Sequence, residues 1–370
     1  MARNPLTGGE IGDYPVMSLE DVRALVTSAR GAQVEWARRS LDERARALQK
    51  LRRLVETRAE RIADTVRAET GKVRGEALIE VLVACDLLGF LAEKASNVLL
   101  ARSAAPGSFT HRRARVVYEP FGVIGAITPW NYPFAISLSS VAMSIAAGNA
   151  VVLKPSEYTP GTGALVVELV TEALGSPDLV QLATGDGRTG AALCEAGVDK
   201  IAFTGSTASG TRVMEAAARS LTPVVLELGG KDAMIVCEDA DLRRAARGAV
   251  WSAFYGCGQT CMAVERAYVV DQVYDEFVKY VVQTARRVRT SDEPEAMIGS
   301  LIAQFQRDRV DAHVKDAAAK GARVLLGGRP LEGPGYFYAP TVVVDVDHDM
   351  ALMREETFGP VLPIMRVADE

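Results

Sequence analysis

Histidine is scarce in this sequence: His111, His313 and His348 are the only three among 370 residues. No two of them stand at helical spacing and no C-x-x-C occurs, so a zinc site has little material and no metal is expected. The five cysteines, Cys85, Cys194, Cys237, Cys257 and Cys261, are odd in number and irregularly spaced. That argues against a disulfide-stapled secreted fold and for a reducing, cytoplasmic compartment. A G-x-S-x-G motif is missing too, which removes the commonest serine-hydrolase pattern. No long block of one charge sign stands out and the formal net charge is −5, whereas a nucleic-acid partner needs a concentrated basic surface. The arginines from Arg38 to Arg67 are interleaved with acids and apolar residues and read as solvated helix faces. The amino terminus has no charged start followed by an apolar run, so a signal peptide is not indicated.

Long hydrophobic runs are also short of what a membrane needs. Pro120 to Leu153 carries no charge, but Gly122, Gly125, Pro129 and Pro133 break its first half. The helix-compatible remainder, FAISLSSVAMSIAAG, is too short and serine-rich to span a bilayer of about 30 Å. A buried strand, a loop and a buried helix fit better, and a soluble protein is expected. Aromatics are only 6% in a chain that is 48% hydrophobic, so alanine and branched aliphatics must carry the core. The length implies two or three domains of roughly 100–200 residues.

What is present is an ordered alternation. Ser18 with Asp21, and Ser40 with Glu43, make capping boxes ahead of Val22, Leu25, Val26 and Ala29 and of Leu48, Leu51, Leu54 and Val55. A third amphipathic run covers about 78–100, and FTHRRARVVYE, between Pro106 and Pro120, has strand-like alternation. Strands are then expected at 123–128, 150–154, 179–184, 200–204 and 224–228, separated by helices at 161–174, 188–196 and 209–219. After Gly230 the pattern restarts with a strand at 233–236, a helix from Leu242, helices at 274–288 and 304–320, and strands at 323–326 and 341–346. Strands spaced by helices mark a mostly parallel α/β sheet, whose ligands bind beyond the carboxyl ends of the strands. The Gly229–Gly230 pair is a natural boundary between two lobes.

The unusual residues cluster at those carboxyl ends. Gly185-Asp-Gly187-Arg-Thr-Gly190 is a literal G-x-G-x-x-G, but no acid ends a following strand some 20 residues on, so a tight structural turn is the better reading. FTGSTASG, 203–210, puts small hydroxyl residues between glycines where a helix begins, a setting suited to pyrophosphate. Pro155 ends the preceding strand, so Lys154 and Glu157 are expected to leave the sheet together, able to hold a ribose diol or to form a surface ion pair. Cys261, in GCGQTCMA, sits in a glycine-flanked loop and is either a nucleophile or an inert packing residue. Glu227 interrupts the apolar strand VVLELGG; partial desolvation there would suit a general base, and a buried structural ion pair is the alternative. Asn131, in PWNYP, is a neutral amide placed to donate to an oxyanion.

In order along the chain, TPWNYPF, VVLKPSE, FTGSTASG, LELGGKD, GQTCMA and EETFGPV resemble the aldehyde dehydrogenase superfamily, over nearly the whole sequence. The resemblance implies a Rossmann-type NAD-binding lobe, about 1–228 with oligomerisation-arm strands near 102–119, and a second α/β catalytic lobe, 229–370. It implies oxidation of a small-molecule aldehyde, with Cys261 as nucleophile, Asn131 and the Cys261 N–H holding the oxyanion, and Glu227 activating water. Lys154 and Glu157 would hold the adenosine ribose, Gly205 and Ser206 the pyrophosphate, and Glu356 the nicotinamide ribose, with Phe358, Trp130 and Leu228 lining the cofactor. Glu157 favours NAD, with NADP as the alternative, and Glu227 favours hydrolysis over acyl transfer to coenzyme A. A homodimer or homotetramer is implied for the full-length protein, and a monomer or an aggregation-prone edge is expected for this shorter chain.

Two departures stand out. Gly256 replaces the asparagine of the more familiar N-x-G-Q-x-C, and Cys257 is either a packing residue or a partner for a reversible disulfide. The chain stops at Glu370, where relatives continue, so its catalytic lobe is expected to be incomplete. A non-catalytic relative that kept the fold is the competing reading.

Overall fold

The computed structural model describes residues 2–369. The chain opens with a short antiparallel pair, β1 (Ala2–Arg3) and β2 (Glu10–Gly12), followed by four helices, α1 (Leu19–Ala37), α2 (Leu41–Thr57), α3 (Ala59–Thr70) and α4 (Arg74–Leu99). Both capping boxes are formed: the Ser18 and Ser40 hydroxyls accept from the Asp21 and Glu43 amides at 3.2 and 3.3 Å. Val22, Val26 and Ala29 on α1, and Leu48, Leu51 and Val55 on α2, form the buried stripes. Each larger aliphatic among them contributes about 1.5–3 kcal/mol by leaving water.

A two-stranded antiparallel sheet follows, β3 (Arg102–Ala104) with β4 (Ala114–Val116). Only Ala114–Val116 within FTHRRARVVYE is therefore strand. Its start is a turn in which the Arg112 amide donates to the Phe109 carbonyl at 2.8 Å, with the Arg112 guanidinium over the Phe109 ring.

Then come β5 (Val123–Ile127), α5 (Pro133–Ala146), β6 (Ala150–Lys154), α6 (Pro160–Leu174), β7 (Val180–Leu182), α7 (Gly187–Glu195), β8 (Lys200–Thr204), α8 (Thr207–Ala218) and β9 (Val224–Glu227). These five strands are parallel in the order β7-β6-β5-β8-β9. In chain sequence that is 3-2-1-4-5, the doubly wound order, whose switch point lies between β5 and β8. The continuous apolar runs of β5 and β6 are buried throughout, as central strands covered on both faces require.

The second sheet uses β10 (Ala233–Val236), β11 (Arg266–Val270), β12 (Arg323–Leu326), β13 (Thr341–Val344) and β14 (Val361–Val367), in the order β10-β11-β14-β13-β12. All its pairings are parallel except β12 with β13. Helices α9 (Leu242–Phe254), α10 (Asp271–Ala285), α11 (Gln304–Ala319) and the short α12 (Ala351–Arg354) accompany it. Phe254, Phe277 and Tyr338 anchor its core. The fold is α/β with parallel sheets.

Compactness divides the chain into Asp13–Thr65 with Leu78–Glu227, and Met1–Gly12 with Val66–Ala77 and Leu228–Glu370. One border between these units falls between Glu227 and Leu228. Two amino-terminal segments, however, join the carboxyl-terminal unit.

Candidate active site

In the unit that contains the first sheet, the candidate residues leave its carboxyl edge. Trp130 and Asn131 lie in the turn after β5; Asn131 is buried and Trp130 half-buried. Tyr132 offers α5 no side-chain cap. Instead the buried Glu80 carboxylate accepts from the Phe134 and Ala135 amides at 3.0 and 3.1 Å, so it both satisfies and neutralises the helix start beside Asn131. The Thr128 amide donates to the Lys154 carbonyl at 3.0 Å, tying the ends of β5 and β6 together.

Lys154 and Glu157 part company after β6, contrary to the expectation that both leave the sheet. Glu157 is exposed, while Lys154 is buried and its ammonium donates to the Pro155 carbonyl at 2.8 Å. Burial lowers the Lys154 pKa, and the Glu157 and Asp186 carboxylates oppose that shift. The cause is the central position of β6: its last side chain remains under the neighbouring turn rather than in water. In that turn Asp186 accepts from the Arg188 amide at 2.8 Å and caps α7, which favours the structural reading of Gly185–Gly190.

Across the switch point, Ser206 caps α8 by accepting from the Ser209 amide at 3.3 Å, and the Gly205 amide donates to the Glu227 carbonyl at 3.0 Å. Glu227 ends β9 and is exposed, not partly desolvated as expected. β9 is the outermost strand of this sheet, so its terminal side chain faces solvent.

In the other unit, Leu228 is half-buried and leads into Gly229 and Gly230. A Cβ on Gly229 would stand 2.3 and 2.4 Å from the Glu356 carboxylate oxygens, so only glycine lets that carboxylate approach the backbone. The Gly230 amide donates to Glu356. Burial, then the nearby Glu265 charge, raises the Glu356 pKa, with the Gly230 hydrogen bond opposing. Phe358 is half-buried with φ +54°, an uncommon conformation for a bulky residue.

Cys261 is exposed and follows a tight turn, Tyr255–Gly258, in which Gly256, Cys257 and Gly258 all have positive φ. Two buried side chains hold this turn. Glu76 accepts from the Gly256 amide at 2.7 Å; Gln259 donates to the Gly256 carbonyl at 3.2 Å and accepts from the Ile302 amide at 2.9 Å. Cys257 packs in the core, and burial pushes its thiol pKa up.

Glu76, Glu80 and Gln259 were not among the candidates from sequence. Glu76 and Glu80 are four apart on the apolar Ala77–Val81–Ala84 face of α4, a placement that could have marked them. Among the described residues, no group of three metal-ligating side chains is found, and no helix is long and apolar enough to cross a membrane.

The model of the aldehyde dehydrogenase family matches residues 1–370. The chain belongs to the aldehyde dehydrogenase family. It is 40% identical over 373 residues to a 4,4'-diapolycopene aldehyde oxidase of a Methylomonas species, covering 100% of this chain and 70% of that one. It is 38% identical to a probable succinate-semialdehyde dehydrogenase (NADP+) of Sinorhizobium fredii, covering 99% and 75%. The crystal structure of an NAD-dependent aldehyde dehydrogenase from Sinorhizobium meliloti matches with a TM-score of 0.95 at 36% identity, over 99% of this chain and 74% of that one.

Proposed function

We infer that this chain catalyses NAD(P)-dependent oxidation of an aldehyde to a carboxylic acid. The observation that carries the reading is the contrast among its cysteines. Cys261 alone is exposed, whereas Cys85, Cys194 and Cys257 are buried and Cys237 is half-buried. Burial pushes the Cys85 and Cys194 thiols up to about 11, where little thiolate forms at neutral pH. Cys261 thus has the access that a nucleophile needs.

The residues fit a dinucleotide. The N-terminus of α8, with Gly205 and Ser206, offers backbone N–H groups to a pyrophosphate at the switch point. Lys154 and Glu157 provide a donor and an acceptor for the adenosine ribose. Glu356, over Gly229, would accept from the nicotinamide ribose, with Leu228, Phe358 and Trp130 supplying apolar walls. When bound, the cofactor provides the acceptor for the aldehyde hydride.

Cys261 Sγ, its proton lost to solvent, would add to the carbonyl carbon, and the resulting thiohemiacetal oxyanion would accept from the Asn131 amide and the Cys261 N–H. Oxidation leaves a Cys261 thioester. Glu227 then takes a proton from water, whose oxygen attacks the thioester; the C–S bond breaks, the acid leaves, and Glu227 returns the proton to Cys261 Sγ. The exposed position of Glu227 at a strand end suits a group that must meet water.

A cytoplasmic homodimer or homotetramer completes this reading, supported by exposed apolar side chains on α4, Leu82, Val83 and Phe90. Light scattering tests it; a monomer would overturn that part. The activity is tested by NADH and NADPH formation from a panel of aldehydes that includes a semialdehyde and a long apolar aldehyde. Turnover that is lost in Cys261→Ala is expected. A thioester formed with coenzyme A, unaffected by Glu227→Gln, would replace hydrolysis with acyl transfer.

A further inference from the structure

The Thr357–Phe358 dipeptide, next to Glu356, has all four of its main-chain polar groups taken by two side chains. The Glu265 carboxylate, just before β11, accepts from the Thr357 amide at 3.0 Å and the Phe358 amide at 2.8 Å. The Gln306 amide nitrogen, in the first turns of α11, donates to the Thr357 and Phe358 carbonyls at 2.9 and 2.8 Å. Lys231 joins them: its ammonium pairs with Glu265 and donates to the Thr357 hydroxyl at 3.2 Å. His313 Nδ1 lies 3.2 Å from the same hydroxyl. Lys231, Glu265, Gln306 and Thr357 are all within a tenth of full burial.

Such a clamp exceeds what ordinary loop closure requires. A buried ion pair roughly breaks even against an apolar pair of equal volume, so Lys231 and Glu265 are weak as a stability device. Their geometry instead sustains a costly conformation. Phe358 at φ +54° stores about 1–3 kcal/mol, which persists only where the surroundings over-determine it. The same fixed backbone delivers the Glu356 carboxylate onto Gly229 and the Gly230 amide.

We propose that Glu265, Gln306 and Lys231 form a positioning clamp that presets Glu356 and Phe358 for the nicotinamide half of the cofactor. The clamp rests on the reading of Glu356 as the ribose acceptor. Glu265 supplies the two acceptors, Gln306 the two donors, and Lys231 neutralises a carboxylate that would otherwise repel Glu356 through the buried space between them. None of the three needs to touch the cofactor. A small displacement of the loop would then be felt as weaker cofactor binding and slower hydride transfer.

The test uses Gln306→Met, which keeps bulk but removes both donors. The double variant Lys231→Met, Glu265→Gln removes both charges without stranding either. NADH affinity is read by fluorescence titration, and amide hydrogen exchange of 355–359 is followed in the cofactor-free protein. The rate of Cys261 alkylation by iodoacetamide reports on the other loop. Both variants are expected to raise the NADH Kd by about tenfold or more, to speed exchange at Thr357 and Phe358, and to leave Cys261 alkylation unchanged. Unchanged NADH affinity in both, with only exchange or Tm altered, would make the clamp purely structural and overturn the proposal. Glu356→Gln separates the layers. If it weakens NADH binding while the clamp variants do not, the clamp fails alone; if it has no effect on binding, the ribose reading fails and the clamp falls with it.

Discussion

The two units solve one problem, holding a polar side chain at the end of a loop, by different means. In the doubly wound sheet, Asn131, Lys154, Ser206 and Glu227 take their places from strand register. Each lies at or just beyond the end of a parallel strand, so the ladder that builds the sheet also aims the residue. In the other unit, Cys261 and Glu356 stand on loops with positive-φ residues, and buried side chains hold those loops: Glu76 and Gln259 for one, Glu265 and Gln306 for the other. Strand-end placement is supported by many weak, repeated bonds. Loop placement depends on a few strong ones, so single changes should disturb it more.

The largest effects should come from the chemistry-bearing residues themselves. Cys261→Ala should abolish turnover, while Glu227→Gln should lower kcat by about 10²–10⁴-fold and Asn131→Ala by about 10²–10³-fold. Because Cys261 and Glu227 are exposed, their variants should keep urea-unfolding stability within about 0.5 kcal/mol of wild type. A marked loss of stability in either would mean that function and support are not separated as described.

The next contrast is between two glycines. In Gly258→Ala the new Cβ would lie 2.1 Å from the Gly359 carbonyl oxygen, at φ +70°. Main chain cannot yield easily, so a cost of roughly 3 kcal/mol is expected from overpacking and left-handed strain. In Gly205→Ala the obstacle is the Phe203 ring, 2.7 Å away. A side chain can move, and about 1 kcal/mol is expected. Equal costs in urea unfolding would erase the difference between rigid loop and compliant strand end.

A third comparison removes one supporting carboxylate from each unit. Glu80→Ala leaves two amides at the start of α5 without their acceptor and should cost about 1–3 kcal/mol. Glu76→Ala should cost a similar amount but, unlike Glu80→Ala, should also change the rate of Cys261 alkylation. Identical alkylation rates in wild type and Glu76→Ala would show that the turn holds without it.

The smallest effects are pH-dependent. The Glu356 pKa is raised above its ordinary 4.5 by burial, so its favourable contribution is complete below that value and is lost as pH rises through the folded value. Glu356→Gln should therefore raise Tm at neutral pH, and the gain should vanish as pH falls toward 4.5. His313 runs the other way. Burial lowers its pKa from 6.5, so the stability carried by the neutral ring is present above 6.5 and lost as pH falls through the folded value. Tm of His313→Gln should fall less than wild type across that acidic range; parallel curves would contradict this.

Much of the frame was legible along the chain. The strands at 150–154, 200–204, 233–236 and 323–326 lie where alternation placed them, and both capping boxes formed. β14 has no counterpart among the expected strands, because Pro360 precedes and Pro363 interrupts VLPIMRV and proline argues against a central strand. Pro363 nevertheless stands opposite Val343 inside the sheet. α4 begins four residues before the expected 78, since Glu76 resembles a solvent-facing charge until its partner, 180 residues away, is packed against it.

From the sequence alone come the α/β alternation, the family, and the candidate residues for its chemistry, because periodicity and short motifs are local properties. Which charge stays inside is not local. Lys154 is buried because β6 is central, and Glu227 is open because β9 lies at an edge, an order no single strand encodes. The same holds for the cysteines and for the clamps. Exposure of Cys261, and the convergence of Glu265, Gln306 and Lys231 on one dipeptide, exist only when segments up to 126 residues apart are packed together.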